Sequence, residues 1–307
     1  MRANVKFFKN RGKMSEAIIK FTKFIHPCVT HLKIEFEETH GFENASIFIE
    51  DFLRKLGKRS SKIQVLIFKR IKLLAMDESH SAMYLCEKYL PNIRILIFHD
   101  CEFEYEFEIY NYDVVTSKIE LFDASNCRIA DYGGAGKLLY RSLFDGGLGL
   151  RKLRFANTNV RDYFFLGTRN QISPLELLDL EGNPVSSDAF RDIREHVSNL
   201  SELYVCSTYL EDEDFEFNDT KSVLPRLRVI CLRGCRVTYR AINALIKSCP
   251  SLQHVYVGKN RFSNRHSFID EWAVFKFDYS LCKSQIVEVI DQDDFCNHYL
   301  AVDYMTK

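Results

Sequence analysis

One hydrophobic template recurs along the chain. In "LELLDLEGNPV" the apolar teeth are Leu175, Leu178, Leu180 and Val185, with Asn183 between the last two. "LSELYVCSTYL" from Leu200, "LRVICLRGCRV" from Leu227 and "LQHVYVGKNRF" from Leu252 repeat the spacing. So do "LRKLRFANTNV" from Leu150, "IELFDASNCRI" from Ile119 and "IRILIFHDCEF" from Ile93. "IQVLIFKRIKL" from Ile63 and "VTHLKIEFEET" from Val29 are looser copies. Successive starts are separated by 25 to 34 residues.

The spacing dictates elements. Residues two apart on a strand point to the same face, so Leu178 and Leu180 enter the core together. The small polar residue that follows, Asn183 or Cys235, turns the chain and satisfies backbone groups there. Between strands, helical periodicity predicts return segments. In "SSDAFRDIREHVSN" Ser187 is the expected cap, with Phe190, Ile193 and Val197 on one side. In "VTYRAINALIKSCPSL" Ile242, Leu245 and Ile246 point inward. "ASIFIEDFLRKLGKRS" carries Ile49, Leu53 and Leu56 on a stripe, with Gly57 as its expected stop. A further helix is expected over Glu78–Tyr89, ending before Pro91. Strand, turn and helix then stack, each unit burying the face of its neighbour.

This pattern resembles the leucine-rich-repeat superfamily over about residues 29–262. The resemblance implies an α/β solenoid, a horseshoe with parallel inner strands, outer helices and about nine repeats plus caps. The unit "LRGCRVTYRAINALIKSCPSL", with Cys235 and the run from Cys249 to Leu252, is similar to the cysteine-containing repeats of F-box ubiquitin-ligase substrate receptors. No F-box is visible. The expected division is a basic tail and N-terminal helical cap over 1–28, repeats over 29–264 and a C-terminal cap over 265–307. Met14–Cys28 is the expected capping helix, and Trp272 an expected plug at the other end.

Composition narrows the function. The 42 basic and 42 acidic residues cancel, which argues against bulk attraction to nucleic acid or an anionic membrane. No apolar run reaches the roughly 18 residues of a membrane span. The first residues lack the apolar middle of a secretory signal, so a cytoplasmic or nuclear location is expected, with the ten cysteines mostly reduced. No zinc-type cysteine spacing, H-E-x-x-H pair or G-x-S-x-G elbow occurs. "DYGGAGKLLY" has Asp131 and Leu138 where a phosphate loop needs Gly and Ser or Thr. No enzyme, cofactor or metal is therefore expected.

Two acidic and aromatic runs, Glu102–Ile109 and Glu211–Phe217, fall in connecting segments. Their alternation suggests short outer strands, with Phe107 and Ile109 inward and the glutamates wet.

Binding is expected on the concave face, where strand positions between the leucines project by register. Val65, Ile67, Ile95, Ile97 and Leu121 form an apolar zone there. Asp123, Arg154 and Asp179 belong to a mixed-charge centre. Tyr204, Val229, His254 and Tyr256 form an aromatic end. Protein partners are the expected ligands, ubiquitin-ligase subunits among them; the alternative is a regulatory or structural repeat protein with a small-GTPase or cytoskeletal partner. For the apolar zone, coverage by the N-terminal segment or a loop is the competing expectation.

Overall fold

The computed structural model describes residues 1–7, 20–41, 45–73, 82–105, 118–131, 149–158, 174–216, 223–257 and 288–291. The chain is α/β, and its paired strands run parallel. It divides between Thr158 and Asn159 into two compact units.

In the first unit the strands are β1 (Arg2–Phe7), β2 (His31–Gly41), β3 (Val65–Leu73), β4 (Ile95–His99), β5 (Glu102–Tyr105), β6 (Leu121–Asp123), β7 (Arg128–Asp131) and β8 (Lys152–Arg154). Helices α1 (Ala45–Arg59) and α2 (Ala82–Tyr89) connect β2 to β3 and β3 to β4. The main ladder runs β1, β2, β3, β4, β6, β8, while β5 pairs with β3 and β7. The second unit contains β9 (Leu177–Asp179), α3 (Ser187–His196), β10 (Glu202–Tyr204), β11 (Val229–Cys231), α4 (Tyr239–Ser248), β12 (His254–Val257) and β13 (Glu288–Asp291). There each strand pairs with the next in sequence.

The template residues meet in register. Leu178 pairs with Leu203, Leu203 with Ile230 and Ile230 with Val255, and all four are buried. In the first unit Leu66, Leu96, Phe122 and Leu153 form the matching row, also buried. Behind that row an aromatic chain crosses the repeats. Phe68 stacks on Phe98 at 5.4 Å, Phe98 tilts against Phe122 at 6.0 Å, and Phe122 against Phe155 at 5.7 Å.

A turn device repeats after each strand. Arg70, Asp100, Asn126 and Asn157 in the first unit, and Gly182, Ser207 and Gly234 in the second, all have positive φ, between 53° and 72°. Each directly precedes the turn position of its template, which is polar or Cys in every case but Ile71, after Arg70. Five of the seven carry a side chain, so the turn holds a left-handed conformation that only glycine adopts freely. The following side chain then bonds back to a carbonyl. Thr158 Oγ1 donates to Phe155 O at 2.7 Å, Asn183 Nδ2 to Leu180 O at 3.0 Å and Thr208 Oγ1 to Val205 O at 2.9 Å. Cys127 Sγ does the same to Phe98 O at 3.3 Å and Cys235 Sγ to Val205 O at 2.9 Å. This is the backbone-satisfying role the sequence assigns to the Asn or Cys position.

The helices follow their predicted stripes with small shifts. In α3 Ala189, Phe190 and Ile193 are buried, and Ser186, not Ser187, occupies the N-cap position. In α4 Ala241, Ile242 and Leu245 are buried, Ile246 is only half-buried, and Thr238 Oγ1 accepts from Arg240 N at 3.3 Å. Helix α2 ends at Tyr89 as expected and is described from Ala82, so residues 78–81 lie outside the described residues.

Gly57 does not stop α1, which continues to Arg59. A Cβ at Gly57 would lie 2.0 Å from the Tyr89 carbonyl oxygen. The glycine lets the end of α2 approach the helix backbone. An alanine inside a helix normally gains about 1 kcal/mol over glycine. Here Gly57→Ala is expected to lose roughly 1–3 kcal/mol through overpacking, read as a lower urea midpoint. A stabilised variant would show that α1 and α2 do not touch at this point.

Two other segments depart from expectation. Residues Arg2–Phe7 are not a solvated basic tail: they form β1, in parallel register with β2 from Arg2 opposite His31 to Phe7 opposite Phe36. Their alternation explains it, since Arg2, Asn4 and Lys6 are exposed while Ala3 and Val5 are half-buried. Of the expected capping helix, only the end is described, with a 3-10 turn over Thr22–Phe24. The rest of that segment, Trp272 and most of the C-terminal cap lie outside the described residues.

The acidic runs differ from each other. Glu102–Tyr105 is strand β5, and residues 106–109 lie outside the described residues. Asp212–Phe215 is a 3-10 turn instead of a strand, with Phe215 buried. Its acids cap the structure. Asp212 accepts from Thr238 N at 2.6 Å and from Thr238 Oγ1 at 2.5 Å, holding the start of α4. Phe215 packs on Phe190 of α3 at 4.9 Å.

Candidate functional site

The candidate surface is the sheet face opposite the leucine row. Its side chains alternate with the core teeth along every strand, so register alone places them together.

In the first unit Val65, Ile95 and Leu121 align across β3, β4 and β6, as do Ile67, Ile97 and Asp123. Exposure is not what register implied. Val65, Ile67, Ile97 and Leu121 are 4–8% exposed, and Ile95 is half-buried. Neighbouring parallel strands stand about 4.8 Å apart, so β-branched side chains in register shield one another. The expectation of an open apolar zone is corrected for these four residues. Arg154 is buried as well. Asp123 is half-buried, and its carboxylate accepts from Ser125 N at 2.9 Å.

In the second unit Asp179 is buried and plays the same part as Asp123, accepting from Glu181 N at 3.1 Å. Both aspartates brace the turn that follows their strand, a local role that their position in a mixed-charge row does not reveal. Glu181, two residues on, has its carboxyl pushed above the usual range by burial, with the Arg233 guanidinium pulling the other way.

At the aromatic end the expectation of exposure is corrected for Tyr204, which is buried. Leu177, Tyr204, Cys206 and Cys231 form one buried cluster, with Val229 and Tyr256 packed against it. Tyr204 is fully covered, and its hydroxyl donates to Glu202 Oε2 at 3.0 Å. Val229, His254 and Tyr256 are half-buried and open to solvent in part. Register brings them together, with Val229 opposite His254 and Cys231 opposite Tyr256.

Cys206 and Cys231 are joined by a disulfide between the end of β10 and β11, their Cα atoms 5.7 Å apart. Among the described residues, cysteines 28, 86, 101, 127, 235 and 249 are not disulfide-bonded. Burial raises the thiols of Cys127 and Cys235, and pushes Cys249 up to about 12, so they stay protonated and inert at neutral pH.

No family model matches the chain, and no curated protein does. Among solved structures, the chain is similar to a Bacteroides fragilis protein solved by a structural genomics consortium. The match has 15% identity and a TM-score of 0.49, covering 81% of this chain and 71% of that one.

Two further polar groupings escaped the sequence reading. A cleft of about 550 Å³ in the first unit is lined by Asn92, Arg94, Lys118, Glu120, Gly149 and Arg151, among others. The backbone aligns three of them just before their strands: Glu120 N donates to Arg94 O at 2.8 Å, and Arg151 N to Glu120 O at 2.9 Å. Arg94 also donates to the Glu120 carboxylate at 2.7 Å. The signal was present, since these residues share one template position. On α3, Asp192, Glu195 and His196 bring ligand-type atoms within 4.8 Å of one another, a grouping common on exposed helix turns without an ion. Among the described residues, no helix is long and apolar enough to cross a membrane.

Proposed function

We propose that the chain is a leucine-rich-repeat solenoid and a non-catalytic scaffold that binds protein partners through the strand face opposite its leucines. The observation carrying this reading is the partly exposed edge of the aromatic cluster. Val229 and Tyr256 pack on a buried base that includes Tyr204 and Leu177, and His254 stands opposite Val229 on the next strand. Tyrosine presents large, stiff contact area and is a common interface anchor. Half-exposed groups on a preorganised base lose little entropy on docking. The finer assignment, to the substrate-recognition arm of a ubiquitin ligase, rests on the cysteine-containing repeat around Cys235 and Cys249.

Affinity purification with mass spectrometry tests this reading, using the full chain beside Tyr256→Ala and His254→Ala. These positions are chosen over Tyr204 and Ile67, whose burial would confuse binding with folding. Partners that dock here are expected to lose at least about tenfold in recovery with Tyr256→Ala, the cost of one hot-spot side chain. Ligase adaptors among the lost partners would support the finer assignment. Undiminished recovery in variants that melt like the parent would contradict the choice of surface.

A further inference from the structure

Five of the described cysteines divide by sheet face. Cys101, Cys127 and Cys235 occupy the turn position of the template, and each directs its sulfur at a backbone carbonyl. Cys206 and Cys231 do not. They belong to the cluster under Tyr256 on the face opposite the leucines, and these two are bonded to each other.

The strand ladder does not depend on that bond. Asp179 pairs with Tyr204 across β9 and β10, and Cys231 with Tyr256 across β11 and β12, in the same register and with no cross-link. What the bond controls is volume. Bonded sulfurs lie about 2.05 Å apart, whereas separate thiols, like other non-bonded heavy atoms, need roughly 3.5–4 Å. Reduction therefore lets the two sulfurs move apart to non-bonded distance inside a cluster whose members are 0–3% exposed. A close-packed cluster answers such a demand by moving side chains. Tyr204 is in the cluster, and Val229 and Tyr256 lie against it.

We propose that Cys206 and Cys231 form a two-electron redox switch that sets the shape of the tyrosine-bearing face. The exchange partner is a small thiol–disulfide couple of the glutathione class. One small thiolate attacks the Cys206 sulfur, forming a mixed disulfide and releasing Cys231 as a thiolate, which takes up a proton. A second small thiolate attacks the sulfur of the small molecule in that mixed disulfide. Cys206 leaves, takes a proton, and one small disulfide departs. Two small thiols are oxidised and two protein thiols form. Both sulfurs are buried, Cys206 at 2% and Cys231 at 0% exposure, so attack follows local opening; Cys206 is the attacked atom because it adjoins the turn at the exposed Ser207. The regulatory purpose rests on the docking reading above; the chemistry and the repacking do not.

The test needs no partner. The full chain is equilibrated in glutathione buffers from oxidising to reducing, quenched under denaturing conditions with N-ethylmaleimide, and weighed intact. Amide exchange is followed on the same samples over 202–206 and 229–232. The expected result is one reversible step that gains two labels, mapped to Cys206 and Cys231, with faster exchange in those strands on the reduced side. Cys206→Ser and Cys231→Ala should each lack the two-label step and show the faster exchange in every buffer. A pair unlabelled in the most reducing buffer would overturn the proposal, because the bond would be permanent. A pair fully labelled in the most oxidising buffer would overturn it too. So would a pair that cycles while exchange in both strands stays constant. Failure of the pull-down with an intact titration would instead count against the docking surface.

Discussion

Leu180→Asp is expected to unfold the second unit. Leu180 is fully buried at the sixth template position, and its amide donates to Tyr204 O at 2.8 Å. Removing the leucine forfeits about 1.5–3 kcal/mol of apolar burial. The carboxylate that replaces it must enter a site built from aliphatic side chains, at a further cost of several kcal/mol, or drag water in with it. The sum rivals the whole stability of an ordinary domain, about 5–15 kcal/mol. Thermal melting followed by circular dichroism reads this out as loss of the second unit's transition. Leu180→Met, which keeps volume and chemistry, should cost less than about 1.5 kcal/mol. A Leu180→Asp protein that melts within a degree of the parent would mean that Leu180 does not face a core.

Phe98→Ala is the second large effect. The ring lies between Phe68 and Phe122, and none of the three is more than 2% exposed. Truncating a buried phenylalanine costs about 3–5 kcal/mol. Two ring contacts are lost as well, each adding about 0.5–1.5 kcal/mol beyond area. Phe98→Leu separates the parts: it restores most of the volume and none of the ring geometry. The expected order of urea midpoints is parent, then Leu, then Ala, with Ala lower by the larger step. Equal midpoints for Ala and parent would contradict the aromatic chain.

These two residues also show why parts of the fold were legible. The template reports which positions face the core, because burial demands one chemistry at a fixed period. Leu178, Leu203, Ile230 and Val255 follow from spacing alone and pair as spacing requires. The left-handed turns were only partly legible, because Asp100, Asn126 and Asn157 tolerate a positive φ less freely than Gly182 and Gly234, and Arg70 and Ser207 do not announce one. A repeated geometry overrode local preference there. For the candidate surface, register gives the face and not what lies over it. Ile67 and Ile97 thus read as exposed and are buried, while His254 and Tyr256 read the same way and keep part of their surface. The bond between Cys206 and Cys231 was illegible for a related reason. Their separation of 25 residues is two short of the 27 between aligned positions of β10 and β11, where Cys231 stands opposite Tyr204, so the template does not pair them.

Stacking itself is tested most directly by nuclear Overhauser effects between labelled methyl groups in the second unit. The fold places Leu178, Leu203, Ile230 and Val255 on four successive parallel strands. It predicts a continuous ladder of methyl contacts, each residue to the next and none skipping a strand. Missing contacts between Leu178 and Leu203, or methyls of either residue that contact bulk water, would contradict it.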